Sequence, residues 1–164
     1  MTRKLLLLIF FFISLVGNSQ RVFKMMMENA DRTINNPSSG YALTSIAHFK
    51  KTALIYMKNK VVEQQKTDAE DLLDTQAYYL AEFTKLYIDE LIRSKSQTSE
   101  KQKETIMQFV KISKDNPLFY DADSETTDTY ISEPQTLTPF SLDTNWEKAF
   151  KAAKEMQDSD KNNN

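Results

Sequence analysis

The chain has 164 residues, with 21 basic and 23 acidic side chains, a formal net charge of −2, no cysteine and two glycines. There is no basic excess to neutralise phosphates, so nucleic acid is not an expected partner. The missing cysteines exclude disulfides, thiolate metal sites, a cysteine nucleophile and a lipid carried on cysteine. So few glycines argue against phosphate-cradling loops, dinucleotide-binding turns and tight hairpins.

Arg3 and Lys4 precede an apolar run, Leu5 to Val16, broken by Ser14. Gly17-Asn18-Ser19 then sets small residues one and three positions before Gln20. This is the charged, apolar, small-residue order of a secretory signal. The run is too short for a spanning helix, which needs about 20 apolar residues. Cleavage between Ser19 and Gln20 is therefore expected, and it removes Arg3, Lys4 and Gly17. The expected product is an exported protein, periplasmic or secreted, with no membrane span. Its length suits one domain with a real core.

Arg21 to about Ile34 reads as a short helix, with Val22, Met26, Ala30 and Ile34 recurring every four residues. Asn35-Asn36-Pro37-Ser38-Ser39-Gly40 is a turn. A second helix is expected from about Tyr41 to Gln64. Its apolar side carries Leu43, Ile46, Ala47, Ala53, Leu54, Met57 and Val61, widened by Phe49 and Tyr56. Lys50, Lys51, Lys58 and Lys60 make it basic.

Thr67-Asp68-Ala69-Glu70 fits a capping box and opens a third helix to about Ser94. Leu72, Leu73, Ala77, Leu80, Phe83, Leu86, Tyr87, Ile88 and Leu91, with Tyr79, span roughly 200° of it, against the ~100° stripe of a helix packed on one face. This helix is expected to be central. It is also acidic, which suits antiparallel pairing with the basic helix before it. Ser99-Glu100-Lys101-Gln102 is a second capping box, opening a helix that Asn116-Pro117 stops after about Lys114.

Residues 115–143 contain Pro117, Pro134 and Pro139, which discourage helix. Leu118, Phe119, Tyr120, Tyr130, Ile131, Leu137, Phe140 and Leu142 make the segment too apolar for a disordered linker. A long ordered strap across the helices is expected. Thr144-Asn145-Trp146-Glu147 gives a third capping box, and Trp146, Phe150, Ala153 and Met156 form the stripe of a last helix. Residues 157–164 are polar and read as a disordered tail.

Asn116-Pro117-Leu118-Phe119, followed by Leu137 to Ala149, resembles a pattern in a family of small exported bacterial helical proteins. Gln76-Ala77-Tyr78-Tyr79 is similar to it as well. The resemblance implies a helical fold and supplies no site residues. The Trp146 to Ala153 stretch is also similar to the lead-in helix of some exported thioredoxin-like domains. Without paired cysteines it implies no redox activity.

His48 is the single histidine, so no histidine cluster can hold zinc. It projects to the polar side of its helix, which fits an exposed residue better than a catalytic triad. Asp121, Asp123, Glu125 and Asp128 begin like a calcium loop, but Thr126 replaces the turn glycine and Ser132 the bidentate glutamate. A solvated acidic turn is the simpler account. Met25-Met26-Met27 point around a helix rather than at one soft ion. Tyr79, Phe83 and Tyr87 share a core stripe, whereas Tyr78 projects to the polar side as a contact candidate.

The expected architecture is all-α: residues 20–156 as an antiparallel bundle of four or five helices with the proline-containing strap packed over it. The expected function is a binding or interaction module for a protein or small ligand, without a cofactor or resident metal. Its surface is placed where the strap crosses the helices, around Tyr78, Phe119, Tyr120, Tyr130, Phe140 and Trp146. The alternative is an envelope hydrolase using Asp and Glu as acid and base. A homodimer packed through the Leu72 to Leu91 arc is the third reading.

Overall fold

The computed structural model describes residues 21–95, 98–122, 126–130 and 137–162. The expected signal with its Ser19–Gln20 cut lies outside these residues, as do Asp123 and Glu125. At Asp128 and Tyr130 the backbone alone is described. The fold is an α-helical bundle. Its helices are α1 (Arg21–Asn35), α2 (Tyr41–Glu63), α3 (Ala69–Lys95), α4 (Ser99–Asp115) and α5 (Trp146–Asn162). Between α4 and α5 run β1 (Thr126–Tyr130) and β2 (Leu137–Ser141). They pair antiparallel, from Thr126 opposite Ser141 to Tyr130 opposite Leu137. No helix among the described residues is long and apolar enough to cross a membrane.

The α3 helix touches α1, α2, α4 and α5, as its wide apolar arc predicts. Leu73, Ala77, Leu80, Phe83, Leu86, Tyr87 and Leu91 are buried by these neighbours. The chain itself covers these residues of the arc, while Leu72, Tyr79 and Ile88 are half-buried. On α2, Ile46, Ala47, Phe49, Ala53, Leu54, Met57 and Val61 are buried. Leu43, assigned to that apolar side, is exposed in the first turn, and His48 is exposed as its projection implies.

Aromatic rings fill the centre. Phe83 lies 5.4 Å from Phe109, 5.6 Å from Phe140 and 5.4 Å from Trp146, ring centre to ring centre. Phe49 closes the group at 5.3 Å from Phe140 and 5.7 Å from Trp146. These separations are those of favourable tilted and edge-to-face pairs. They draw α2, α3, α4, β2 and α5 into one core.

Helix ends explain how the elements are aimed. The Asp74 carboxylate on α3 accepts the amides of Val22 (3.2 Å) and Phe23 (2.9 Å), satisfying free donors in the first turn of α1. Gln65 follows α2 in the left-handed conformation, with φ 48°. Its amide donates to Val62 O at 3.2 Å, and the Lys66 amide reaches Val61 O at 3.4 Å. Glycine normally takes this position, but the α2–α3 connection contains none.

The α3 and α5 helices run parallel. Gln76 meets Trp146 near one end and Glu90 meets Gln157 near the other. The Glu90–Gln157 bond also carries α5 beyond Met156, where a disordered tail was expected. Ser159 Oγ supports the extension by donating to Glu155 O at 2.9 Å. The described residues 126–130 and 137–141 of the expected strap form the β1–β2 ribbon. Its β1 strand lies against α2 and its β2 strand against α4, the helical support that two strands need to persist in water.

Candidate functional site

A polar knot at the C-terminal end of α4 builds the site. Ser113 Oγ accepts the Ser141 amide at 3.0 Å and lies 2.8 Å from Thr144 Oγ1. The Thr144 hydroxyl donates to Ser141 O at 2.7 Å. All three residues are buried. Next to them, the Asn145 amide donates to Asn116 O at 2.7 Å. The chain leaving α4 is thereby pinned to the chain entering α5.

Asp143 lies inside this pin. One carboxylate oxygen accepts the amides of Leu118 (3.0 Å) and Phe119 (2.7 Å), and the other accepts the amide of Asp121 (2.8 Å). Three charge-assisted bonds to one buried carboxylate are stronger than neutral ones. They bend residues 118–121 into a rigid turn. Tyr120, at its crest, has φ 56° and is 79 % exposed.

The turn rests on α2. The Phe119 ring meets the Tyr56 ring at 6.2 Å, edge to face. The Lys66 ammonium sits 5.0 Å from the centre of the Phe119 ring. The Tyr56 hydroxyl donates to Asp121 Oδ2 at 3.0 Å, and Lys60 pairs with the same oxygen at 2.8 Å. Burial first, then the bond to Asp121 and the nearby charges of Asp143, Asp121 and Glu63, push the Tyr56 phenol well above its ordinary range. Lys60 is raised chiefly by its bonds to Asp121 and Glu63.

Tyr120 and Gln65 are the two non-glycine residues with positive φ among the described residues. They flank one contact, Lys66 over Phe119. Left-handed backbone at such a residue costs roughly 1–2 kcal/mol, and strain of this kind concentrates at functional sites. Val62, exposed at the end of α2, and Gln64 extend the same corner.

The six aromatic residues singled out from the sequence do not form one surface. Phe119 and Tyr120 share the corner. Phe140 and Trp146 are core: both are fully buried, and the Trp146 indole N–H has no acceptor among the described residues. Tyr78 is half exposed and leans on Tyr79 at 5.1 Å, which in turn packs on Phe150. The Tyr130 side chain lies outside the described residues. The acidic turn behaves differently from a calcium loop at the one position described, because Asp121 is engaged by Tyr56 and Lys60. Among the described residues no group of three His, Cys, Asp or Glu is placed to hold a metal.

Sequence reasoning missed Asp143, Gln65 and Gln76. Asp143 sits in a run with Ser141, Thr144 and Asn145, each able to bond backbone, and nothing local marks it as the clamp. Gln65 carries one signal: a helix ends there with no glycine or asparagine to take the left-handed position. No protein-family model, curated protein or solved structure matches the chain.

Proposed function

We propose that this chain is an exported helical interaction module, and that it meets a protein partner through the corner formed by Tyr120, Phe119, Lys66 and Val62. Residues 1–19 support export by their signal-like order. One observation carries the contact surface: an exposed tyrosine is held in left-handed backbone by a buried carboxylate, beside a second strained residue. A purely structural turn gains nothing from a large aromatic at such a position, where glycine or asparagine fits without strain. Exposed tyrosine and half-buried phenylalanine supply the rigid area that partner surfaces favour.

The experiment is site-specific photo-crosslinking in an exporting host. A photoreactive phenylalanine analogue replaces Tyr120, or Met107 on α4 as the exposed control. The expected result is a discrete adduct from position 120 that is absent from position 107. Identical adduct patterns at both positions overturn the reading. Intact mass of the exported chain tests the signal separately, with cleavage expected before Gln20.

A further inference from the structure

We propose that the groove between α3 and α5 binds a short neutral oligosaccharide. Two helical stripes face it. On α3 they are Tyr78, Glu82, Lys85 and Asp89, and on α5 Phe150, Lys154 and Gln157. Successive members are three or four residues apart, so each set shares one side of its helix. All of them except Tyr78 line, with the buried Leu86, a cavity of 220 Å³. Tyr78 stands one turn before Glu82 on the same stripe.

Each stripe begins with an aromatic residue and continues in hydrogen-bonding side chains. Because α3 and α5 run parallel, the two aromatic ends coincide. Tyr79 joins them, with its ring centre 5.1 Å from Tyr78 and 5.7 Å from Phe150. Three rings in contact therefore cross the head of the groove. Tyr78 is 50 % exposed, and Tyr79 and Phe150 are half-buried, so the row rests on the core on one side and meets solvent on the other.

Beyond the rings the walls are polar and open to solvent. Glu82 and Asp89 balance Lys85 and Lys154, so a ligand of one charge sign meets as many like charges as opposite ones. An apolar ligand would strip water from these groups without replacing its hydrogen bonds. A sugar ring satisfies both parts. Its C–H face lies on the aromatic row, and its hydroxyls donate to the carboxylates and accept from the ammonium groups, in charge-assisted bonds. Gln157 donates its amide to Glu90, which leaves its carbonyl oxygen as a further acceptor. At 1.5 Å per residue the α3 stripe from Tyr78 to Asp89 is about 16 Å long, room for more than one sugar ring. None of these residues belongs to the Tyr120 corner, so the groove is a second site.

The test titrates the purified chain with maltotriose, cellotriose and triacetylchitotriose and follows backbone amide resonances. Sorbitol, which carries hydroxyls without a ring face, is the control. At millimolar concentration at least one trisaccharide is expected to shift the amides of residues 78–89 and 150–157, and sorbitol none. Tyr78→Ala should weaken that binding about fivefold, the worth of a lost aromatic contact. Asp89→Asn should weaken it about tenfold through the lost charge-assisted bond. Both side chains are exposed, so the melting temperature should stay unchanged in either variant. No shift with any of the three trisaccharides overturns the proposal. So do equal shifts with sorbitol, and so does undiminished binding by Tyr78→Ala, because the rings are then idle.

Discussion

The backbone amide of Trp146 donates to Oε1 of Gln76 at 2.7 Å, across 70 positions of sequence. The same Gln76 side chain reaches Asn145 Oδ1 at 3.4 Å. A buried glutamine on α3 thus finishes the first turn of α5. Together with Asn116 O to Asn145 and Asp143 to residues 118–121, it forms one junction that holds α3, α4 and α5 in register.

Gln76→Leu should therefore destabilise the chain strongly for a single substitution. It strands the Trp146 amide in a buried place, a loss of about 1–3 kcal/mol. Urea unfolding measures it. A change below about 0.5 kcal/mol, the range of ordinary surface substitutions, counts against this role.

Asp143→Ala should cost more, about 3 kcal/mol, because three amides lose one acceptor and charge-assisted bonds are the stronger kind. Hydrogen exchange gives the sharper readout. The amides of Leu118, Phe119 and Asp121 should lose protection in the variant while those of α3 keep theirs. Unchanged protection at these three positions rules out the clamp.

Helix positions were legible in the sequence, but their caps were each displaced by one residue. The sequence pattern points to Thr67, Ser99 and Thr144. The helices start after Asp68, Thr98 and Asn145 instead. Leu72 bonds to Asp68 O, Thr98 accepts the Lys101 amide at 3.0 Å, and Asn145 accepts the Lys148 amide at 3.2 Å. Each run offers adjacent residues of capping type, and tertiary contacts choose among them. Thr144 cannot cap because its hydroxyl already serves Ser141 and Ser113. The site was half legible for a related reason. Phe119, Tyr120, Phe140 and Trp146 look alike as aromatics near prolines. Only the packing of Phe140 and Trp146 against Phe49 and Phe83 separates core from surface. The β1–β2 ribbon left no alternating apolar pattern to read, since its stability depends on α2 and α4.

Tyr120→Asn should raise stability, by up to about 1 kcal/mol, because asparagine tolerates left-handed backbone better than tyrosine. Tyr120→Gly should gain less, since glycine adds about 0.5–1 kcal/mol of unfolded-chain freedom to be lost on folding. Both variants are also expected to weaken capture of the partner proposed above. A stability loss in Tyr120→Asn shows instead that the ring contributes packing.

Lys50 and Tyr56 set opposing alkaline responses. Burial lowers the Lys50 ammonium below its ordinary 10.5. In the window between that lowered value and 10.5, the unfolded chain holds more protons than the folded one. Stability contributed through Lys50 therefore rises with pH there, and its penalty is full below the window. Lys50→Met should melt higher than the parent at neutral pH, and the gap should close as pH climbs past 10.5. Tyr56 has the reverse sign. Its phenol is raised above the ordinary 10.0, so above that pH the unfolded chain releases a proton that the folded chain keeps, and stability falls. Tyr56→Phe should lose about 1 kcal/mol near neutrality from the missing bond to Asp121, yet show a shallower alkaline decline than the parent. Melting curves of the parent and both variants across the alkaline range separate the two effects. Parallel curves for all three would mean that neither side chain titrates differently on folding.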